Sequence, residues 1–206
     1  GITMVISVIL ALGIFMVLPF FLTNLMKGFL PSYSIRTLIE GIIRVALFLI
    51  YIWLISKMED IKRVFMYHGA EHKTINCLEA GVPLTPENVD NFSRLHKRCG
   101  TSFIFIVMIV SIVVFMFIRV DSLVWKFVLR ILLVPVVAGI SYEFIRLAGR
   151  SDSKIVNTLS KPGLYLQYFT TREPDEEMME VAIKAVEGVF DWREYLRAMH
   201  NGELED

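Results

Sequence analysis

Cysteine is nearly missing from this chain: Cys77 and Cys99 are the only two in 206 residues. Two thiols cannot build the disulfide framework of a small secreted scaffold. Net charge is missing too, with 21 basic against 21 acidic residues. That balance offers no global field for a nucleic-acid backbone, so no nucleic-acid partner is expected. A basic lead and a small-residue cleavage site are both lacking around Gly1-Ile2-Thr3, so no removable signal peptide is read there. An apolar start with no basic lead predicts that the natural protein continues further N-terminally. Internal repeats and low-complexity stretches are absent from the sequence.

What the chain has in excess is apolar surface. Hydrophobic residues make up 55% of it, against about 45–50% in a soluble domain, and the mean hydropathy is +0.57. The excess falls in four blocks: Met4 to Leu25, Leu38 to Ser56, Ser102 to Ile118 and Phe127 to Leu147. Each approaches the ~20 residues that a helix needs to cross the hydrocarbon core. The first and third carry no charge, which disfavours a soluble bundle of long buried helices. The blocks predict an all-α, polytopic membrane protein with four transmembrane helices.

Pairing these helices places the short turns 26–37 and 119–126 on one side of the membrane. Loop 57–101 and the tail after residue 147 lie on the other. The turns hold Lys27, Arg36, Arg119 and Lys126. The loop holds Lys57, Lys62, Arg63, Lys73, Arg94, Lys97 and Arg98. Positive residues favour the cytoplasmic side, so loop and tail are expected in the cytoplasm of a bacterial cell, with both cysteines as thiols. Residues 1–150 then form a membrane domain that includes the loop, and residues 151–206 a cytoplasmic or interfacial helical tail.

Within the spans, Glu40 and Arg44 stand at a spacing that lets them pair on one helix face. Arg130 is expected to snorkel at one end of the last span, with Glu143 and Arg146 at the other and Pro135 kinking the helix between. In the loop, Asp60 to Leu78 reads as a helix stopped by Gly81. Thr85-Pro86-Glu87 starts a second one running to about Arg98. The two make a helical hairpin. In the tail, Lys161-Pro162-Gly163 is expected to break the chain, and the aromatic run 164–169 to sit at the lipid interface. Glu173-Pro174 opens a last helix whose stripe of Met178, Met179, Ala182, Ala185, Val186 and Val189 packs on the loop or on a partner. Asp191 to Met199 extends that helix, and residues 201–206 fray.

Metal-type ligands concentrate in His68-Gly69-Ala70-Glu71-His72. One helical turn puts His68 and His72 on one face, with Glu71 at its shoulder. This is the H-x-x-E-H order found among zinc hydrolases, in which the ion activates water and the carboxylate takes its proton. Five residues with three specified recur by chance, but His96 and Cys99 form a second pair, three apart on the second loop helix. Imidazole and thiolate favour zinc over magnesium or calcium. Two designs stay open. His68, His72, His96 and Cys99 would close the shell around a structural ion. Three ligands would leave a catalytic position with Glu71 as general base, the third being His96, Cys99, Glu143 or Asp152.

The segments Tyr67-His68-Gly69-Ala70-Glu71-His72-Lys73, Arg98-Cys99-Gly100-Thr101-Ser102-Phe103 and Thr170-Thr171-Arg172-Glu173-Pro174 resemble, in that order, the YqhQ-like family of bacterial membrane proteins. The resemblance covers essentially the whole chain. It implies a membrane protein of a domain family of unknown function that carries a predicted metal-dependent enzyme label. It implies no particular reaction.

Three functions are therefore weighed. The first is a zinc-dependent membrane hydrolase acting on a peptide bond or lipid ester at the cytoplasmic leaflet. The second is a non-enzymatic membrane factor, with a structural metal or none, that binds a protein partner through loop and tail. The third is a transporter using Glu40, Arg44, Arg130 and Glu143, which would require a homo-oligomer. Membrane lipid is a partner in all three.

Overall fold

A computed structural model describes residues 1–30, 32–120, 122–151 and 153–202. Among the described residues every regular element is helical. The chain forms two compact units, Gly1–Trp53 with Gly100–Gly163, and Leu54–Cys99 with Leu164–Asp206.

The first unit contains three helical stretches long and apolar enough to cross a membrane: Ile2–Leu25, Tyr33–Ile55 and Val124–Arg150. The first comprises α1 (Ile2–Leu12), a π-helical turn (Gly13–Val17) and α2 (Leu18–Leu25). Pro19 explains a break in its hydrogen bonding. Proline has no N–H to offer the carbonyl four residues back, which here is Phe15. Arg44 Nε on α3 (Tyr33–Ile55) donates to that carbonyl at 3.0 Å. A freed backbone carbonyl among apolar helices needs such a donor. The third block forms α6 (Gly100–Met116), an apolar helix of 17 residues. It packs against α3 where Gly41 faces Ile112; a β-carbon at Gly41 would sit 2.3 Å from Ile112 Cγ1.

The last stretch divides into α7 (Leu123–Leu132) and α8 (Val134–Arg150) at Leu133, two residues ahead of Pro135, where a kink is expected. Arg130 on α7 does not snorkel outward. It is buried and donates to Glu40 Oε1 at 2.5 Å, while Arg44 reaches the same carboxylate at 3.2 Å and Lys126 at 3.4 Å. A carboxylate that is only 2% exposed is stable because cations replace the water it lost. Glu143 and Arg146 pair with each other on an exposed face.

The second unit is built on α4 (Glu59–Glu79), close to the helix expected from the sequence. Gly81 ends it with φ of +74°, in the left-handed region that suits glycine. Thr85 caps α5 (Pro86–Asp90), accepting a hydrogen bond from Asn88 N. This helix stops eight residues before the expected end at Arg98. Asn91 Nδ2 donates to Glu87 O, and Ser93 Oγ accepts from Leu95 N. Both side chains offer the backbone local alternatives to helix, and the chain leaves α5 as an irregular segment.

Helix α9 spans Lys154–Thr170. It carries Pro162 inside it, so the expected break at 161–163 is not there. In the first unit Ser102 Oγ donates to Gly163 O at 2.9 Å, and a β-carbon at Gly163 would meet Ser102 Cβ at 3.0 Å. Of the aromatic run, Tyr165, Tyr168 and Phe169 are exposed, while Leu166 and Gln167 are buried.

The tail then crosses α4 in extended form and enters α10 (Glu176–Glu187), capped by Asp175 Oδ1 on Met178 N. α10 packs on α4 and α5. Met178, Met179 and Ile183 join Ala70, Cys77, Leu84 and Val89 in one core, with Ala182 and Val186 against it. Val189, the last position of the expected stripe, is exposed. Residues 191–199 do not prolong α10. Asp191 caps a separate α11 (Trp192–Asn201), whose Trp192 and Leu196 complete the core.

Candidate metal centre

Helical spacing on α4 sets the first two donors. The His68 and His72 rings lie with centroids 4.3 Å apart. Cys99, which directly precedes α6 in sequence, brings Sγ to 3.3 Å from His68 Nε2. One donor atom from each of His68, His72 and Cys99 lies within 4.8 Å of the others. Around a tetrahedral zinc with ordinary Zn–N and Zn–S lengths, ligand atoms sit about 3.5 Å apart. The cluster is therefore near the size an ion requires.

Each imidazole is oriented by a backbone carbonyl. His68 Nδ1 lies 2.8 Å from Thr170 O, and His72 Nδ1 lies 2.7 Å from Arg94 O. A carbonyl only accepts, so each Nδ1 carries a proton, and in the neutral ring Nε2 holds the lone pair. Ligating histidines are held by this type of outer hydrogen bond. His72 and Cys99 are buried and His68 half-buried. Burial alone disfavours a charged His68. The Cys99 hydrogen bond and the Thr170 carbonyl outweigh it and hold the imidazole above its ordinary range.

The two carbonyls are themselves fixed by contacts that sequence patterns do not reveal. Arg172 N donates to Phe65 O at 2.8 Å, laying the tail on α4. Gly69 permits this approach, since a β-carbon there would lie 2.0 Å from Arg172 O. Arg94 Nη1 donates to Thr171 O, and Arg94 Nε pairs with Glu173 at 3.0 Å. Lys73, buried on α4, binds Asp90 at 2.9 Å and Glu173 at 3.1 Å. Desolvation opposes its charge, but these carboxylates keep its ammonium above the usual lysine range.

His96 stands apart from the three donors. Its ring centroid is 5.8 Å from that of His72. Nδ1 accepts from Arg98 N at 3.3 Å, and Nε2 contacts Glu79 Oε2 at 3.2 Å. Both ring nitrogens are thereby engaged. His96 and Arg98 together hold the Glu79 carboxyl below its usual range, against a smaller opposing effect of burial. The expected helical pairing of His96 with Cys99 is replaced by an irregular segment clamped by Gln167. That fully buried amide accepts from His96 N and donates to His96 O, each at 2.8 Å.

Glu71 is exposed and is not among the three converging donors. Glu143 belongs to the first unit and pairs with Arg146. Asp152 lies outside the described residues.

The donor chemistry fits a zinc-type ion: two imidazoles of fixed tautomer and one thiol.

Among known proteins, no solved structure matches this chain. It is 42% identical over 182 residues to an uncharacterised protein YqhQ of Bacillus subtilis (strain 168). The alignment covers 88% of the chain and 57% of that relative's length. The family described as "Protein of unknown function (DUF1385)" matches residues 1–192, and the chain belongs to it.

Proposed function

We propose that this chain is a four-span membrane protein of the bacterial cytoplasmic membrane that holds one zinc ion on His68, His72 and Cys99. In this reading α6 is the fourth span, and the loop and tail face the cytoplasm, as the Lys/Arg asymmetry favours. The activity is that of a metal-dependent hydrolase. One observation carries it: three donors converge while His96 is held elsewhere, so that among the described residues one tetrahedral position has no protein ligand. Three protein ligands are the count of catalytic zinc sites, and four of structural ones. When bound, the ion supplies Lewis acidity at that position. His68 and His72 orient through Thr170 O and Arg94 O, and Glu71 accepts the proton at a carboxylate oxygen.

A second reading is favoured by the exposure of Glu71. There the ion is structural, tying α4 to the segment before α6, and the cytoplasmic face binds a protein partner. Elemental analysis of protein purified with zinc and without chelator tests both. We expect one zinc per chain, lost in His72→Ala and Cys99→Ser and retained in Glu71→Gln. If Glu71→Gln keeps metal and melting temperature but fails to restore function in a deletion strain, the hydrolase reading holds. If it is silent while metal loss lowers the melting temperature, the ion is structural. Wild-type protein that binds no zinc ends both.

A further inference from the structure

The short-turn end of the first unit holds a second polar site, unrelated to the metal centre. The end of α2, the first turns of α3 and the start of α7 enclose a cavity of about 400 Å³. Lys27, Arg36 and Lys126 line it, with Asn24, Tyr33 and Thr37. The sole acid among the described lining residues is Glu40, and Arg44, Arg130 and Lys126 already engage it. Arg36 and Lys27 have no ion-pair partner among the described residues. Among the described residues the cavity therefore carries an excess of positive charge. The N-termini of α3 and α7 add the positive ends of two helix dipoles.

Thr37 supplies an independent sign of a missing ligand. It is 4% exposed, and its Oγ1 has no hydrogen-bond partner among the described residues. Several other helical hydroxyls donate to the carbonyl four residues back: Thr23 to Pro19, Thr74 to Ala70, Ser141 to Val137 and Ser160 to Val156. Thr37 does not make that bond. A buried hydroxyl left unpaired is costly, and this one borders the cavity.

We propose that this cavity binds a phosphate group, with Lys27, Arg36 and Lys126 neutralising its charge and Thr37 hydrogen-bonding one oxygen. The donors come from the turn after α2 (Lys27), from α3 (Arg36, Thr37) and from α7 (Lys126), and all line one cavity. That suits a tetrahedral anion with several acceptor oxygens better than a planar carboxylate. The phosphate is either the headgroup of an anionic phospholipid or a soluble phosphate.

Two arms separate these sources. Full-length protein is placed in nanodiscs of phosphatidylcholine alone or with phosphatidylglycerol, and retained lipid is read by native mass spectrometry. Inorganic phosphate is titrated into the phosphatidylcholine discs while the melting temperature is followed. Arg36→Gln and Lys27→Gln remove charges that make no ion pair among the described residues, so both variants should fold. Thr37→Val removes only the hydroxyl and keeps the shape.

If the ligand is a lipid headgroup, wild type retains phosphatidylglycerol preferentially, and each charge variant weakens retention by about tenfold. If it is soluble phosphate, phosphate raises the melting temperature of wild type and has little effect on Arg36→Gln. In either case Thr37→Val stabilises the ligand-free protein or leaves it unchanged, but lowers affinity. Failure of both probes on wild type overturns the proposal. So does retention or protection in the charge variants equal to that of wild type.

Discussion

The two units hide opposite things. The first leaves apolar side chains on its outside, with Ile2 at 81% and Ile131 at 64% exposed, and buries a charge, Glu40. The second buries a compact apolar core from α4, α5, α10 and α11 and arranges its polar groups around a histidine pair. Its own buried charge, Lys73, is held by Asp90 and Glu173, both of which reach solvent. Glu40 has cationic partners that are themselves largely buried. In the first unit, then, charge organises the interior and apolar surface is left for lipid. In the second the interior is apolar, as in a soluble domain, and charge secures the approach of the tail.

The largest expected effect follows from this contrast. Glu40→Ala leaves Arg44, Lys126 and Arg130 facing one another without their shared carboxylate. Breaking a buried ion pair on one side costs about 3–5 kcal/mol. We expect a loss of that size in reversible unfolding in detergent, with partial recovery in Glu40→Ala/Arg130→Met. Lys73→Met should cost less, because both of its former partners can be rehydrated. Equal losses at the two sites would erase the distinction between the units.

Next in size is the core of the second unit. Ile183→Ala deletes side-chain volume packed among α4, α5 and α10, and buried aliphatic truncations cost about 2–5 kcal/mol. Val189→Ala, two turns on but exposed, should be close to neutral. Proteolysis near Glu173 should accelerate in Ile183→Ala and not in Val189→Ala. Faster cutting in both would mean that α10 is not docked by this face.

The tail contact at Gly69 links packing to the metal centre. Gly69→Ala drives a methyl group into Arg172 O, so the tail must move away from α4. Overpacking of this kind costs about 1–3 kcal/mol. Displacing the tail also withdraws Thr170 O from His68 Nδ1, so zinc affinity should fall together with stability. Isothermal titration with zinc alongside thermal unfolding checks this. A destabilised Gly69→Ala protein with wild-type zinc affinity would show that the Thr170 carbonyl does not position His68.

These results separate what the sequence made legible from what it did not. The apolar blocks, α4 with its stop at Gly81, the Thr85 cap and the His68/His72 pairing rest on local spacing, and local spacing is visible in a sequence. The separation of His96 from the donors rests on Gln167, which lies 71 residues from His96. The inward turn of Arg130 likewise depends on Glu40, 90 residues away. Partners that distant leave no periodic trace. Gly69 did leave a signal, a glycine in mid-helix between two histidines. Such a glycine costs about 1 kcal/mol relative to alanine, and close backbone approach is a standard reason to tolerate it.

The smallest effect expected concerns the two thiols, which sit in the same unit in different surroundings. Cys77 is fully buried in the apolar core, and burial pushes its thiol up to about 11. At pH 8 only about one such thiol in a thousand is ionised, and the thiolate is the nucleophile. Cys77 should therefore resist a maleimide until the unit unfolds. Cys99 lies outside that apolar core, with Sγ 3.3 Å from His68 Nε2, so a smaller opening than unfolding of the core exposes its sulfur. Labelling of metal-free protein at pH 8 should modify Cys99 first, and added zinc should slow that step without changing the slow labelling of Cys77. Mass spectrometry of timed samples reads both sites at once. If Cys77 reacts as fast as Cys99, the second unit does not have a closed core. If zinc leaves the Cys99 rate unchanged, the thiol is not a ligand, and the metal reading is reduced to the two histidines of α4.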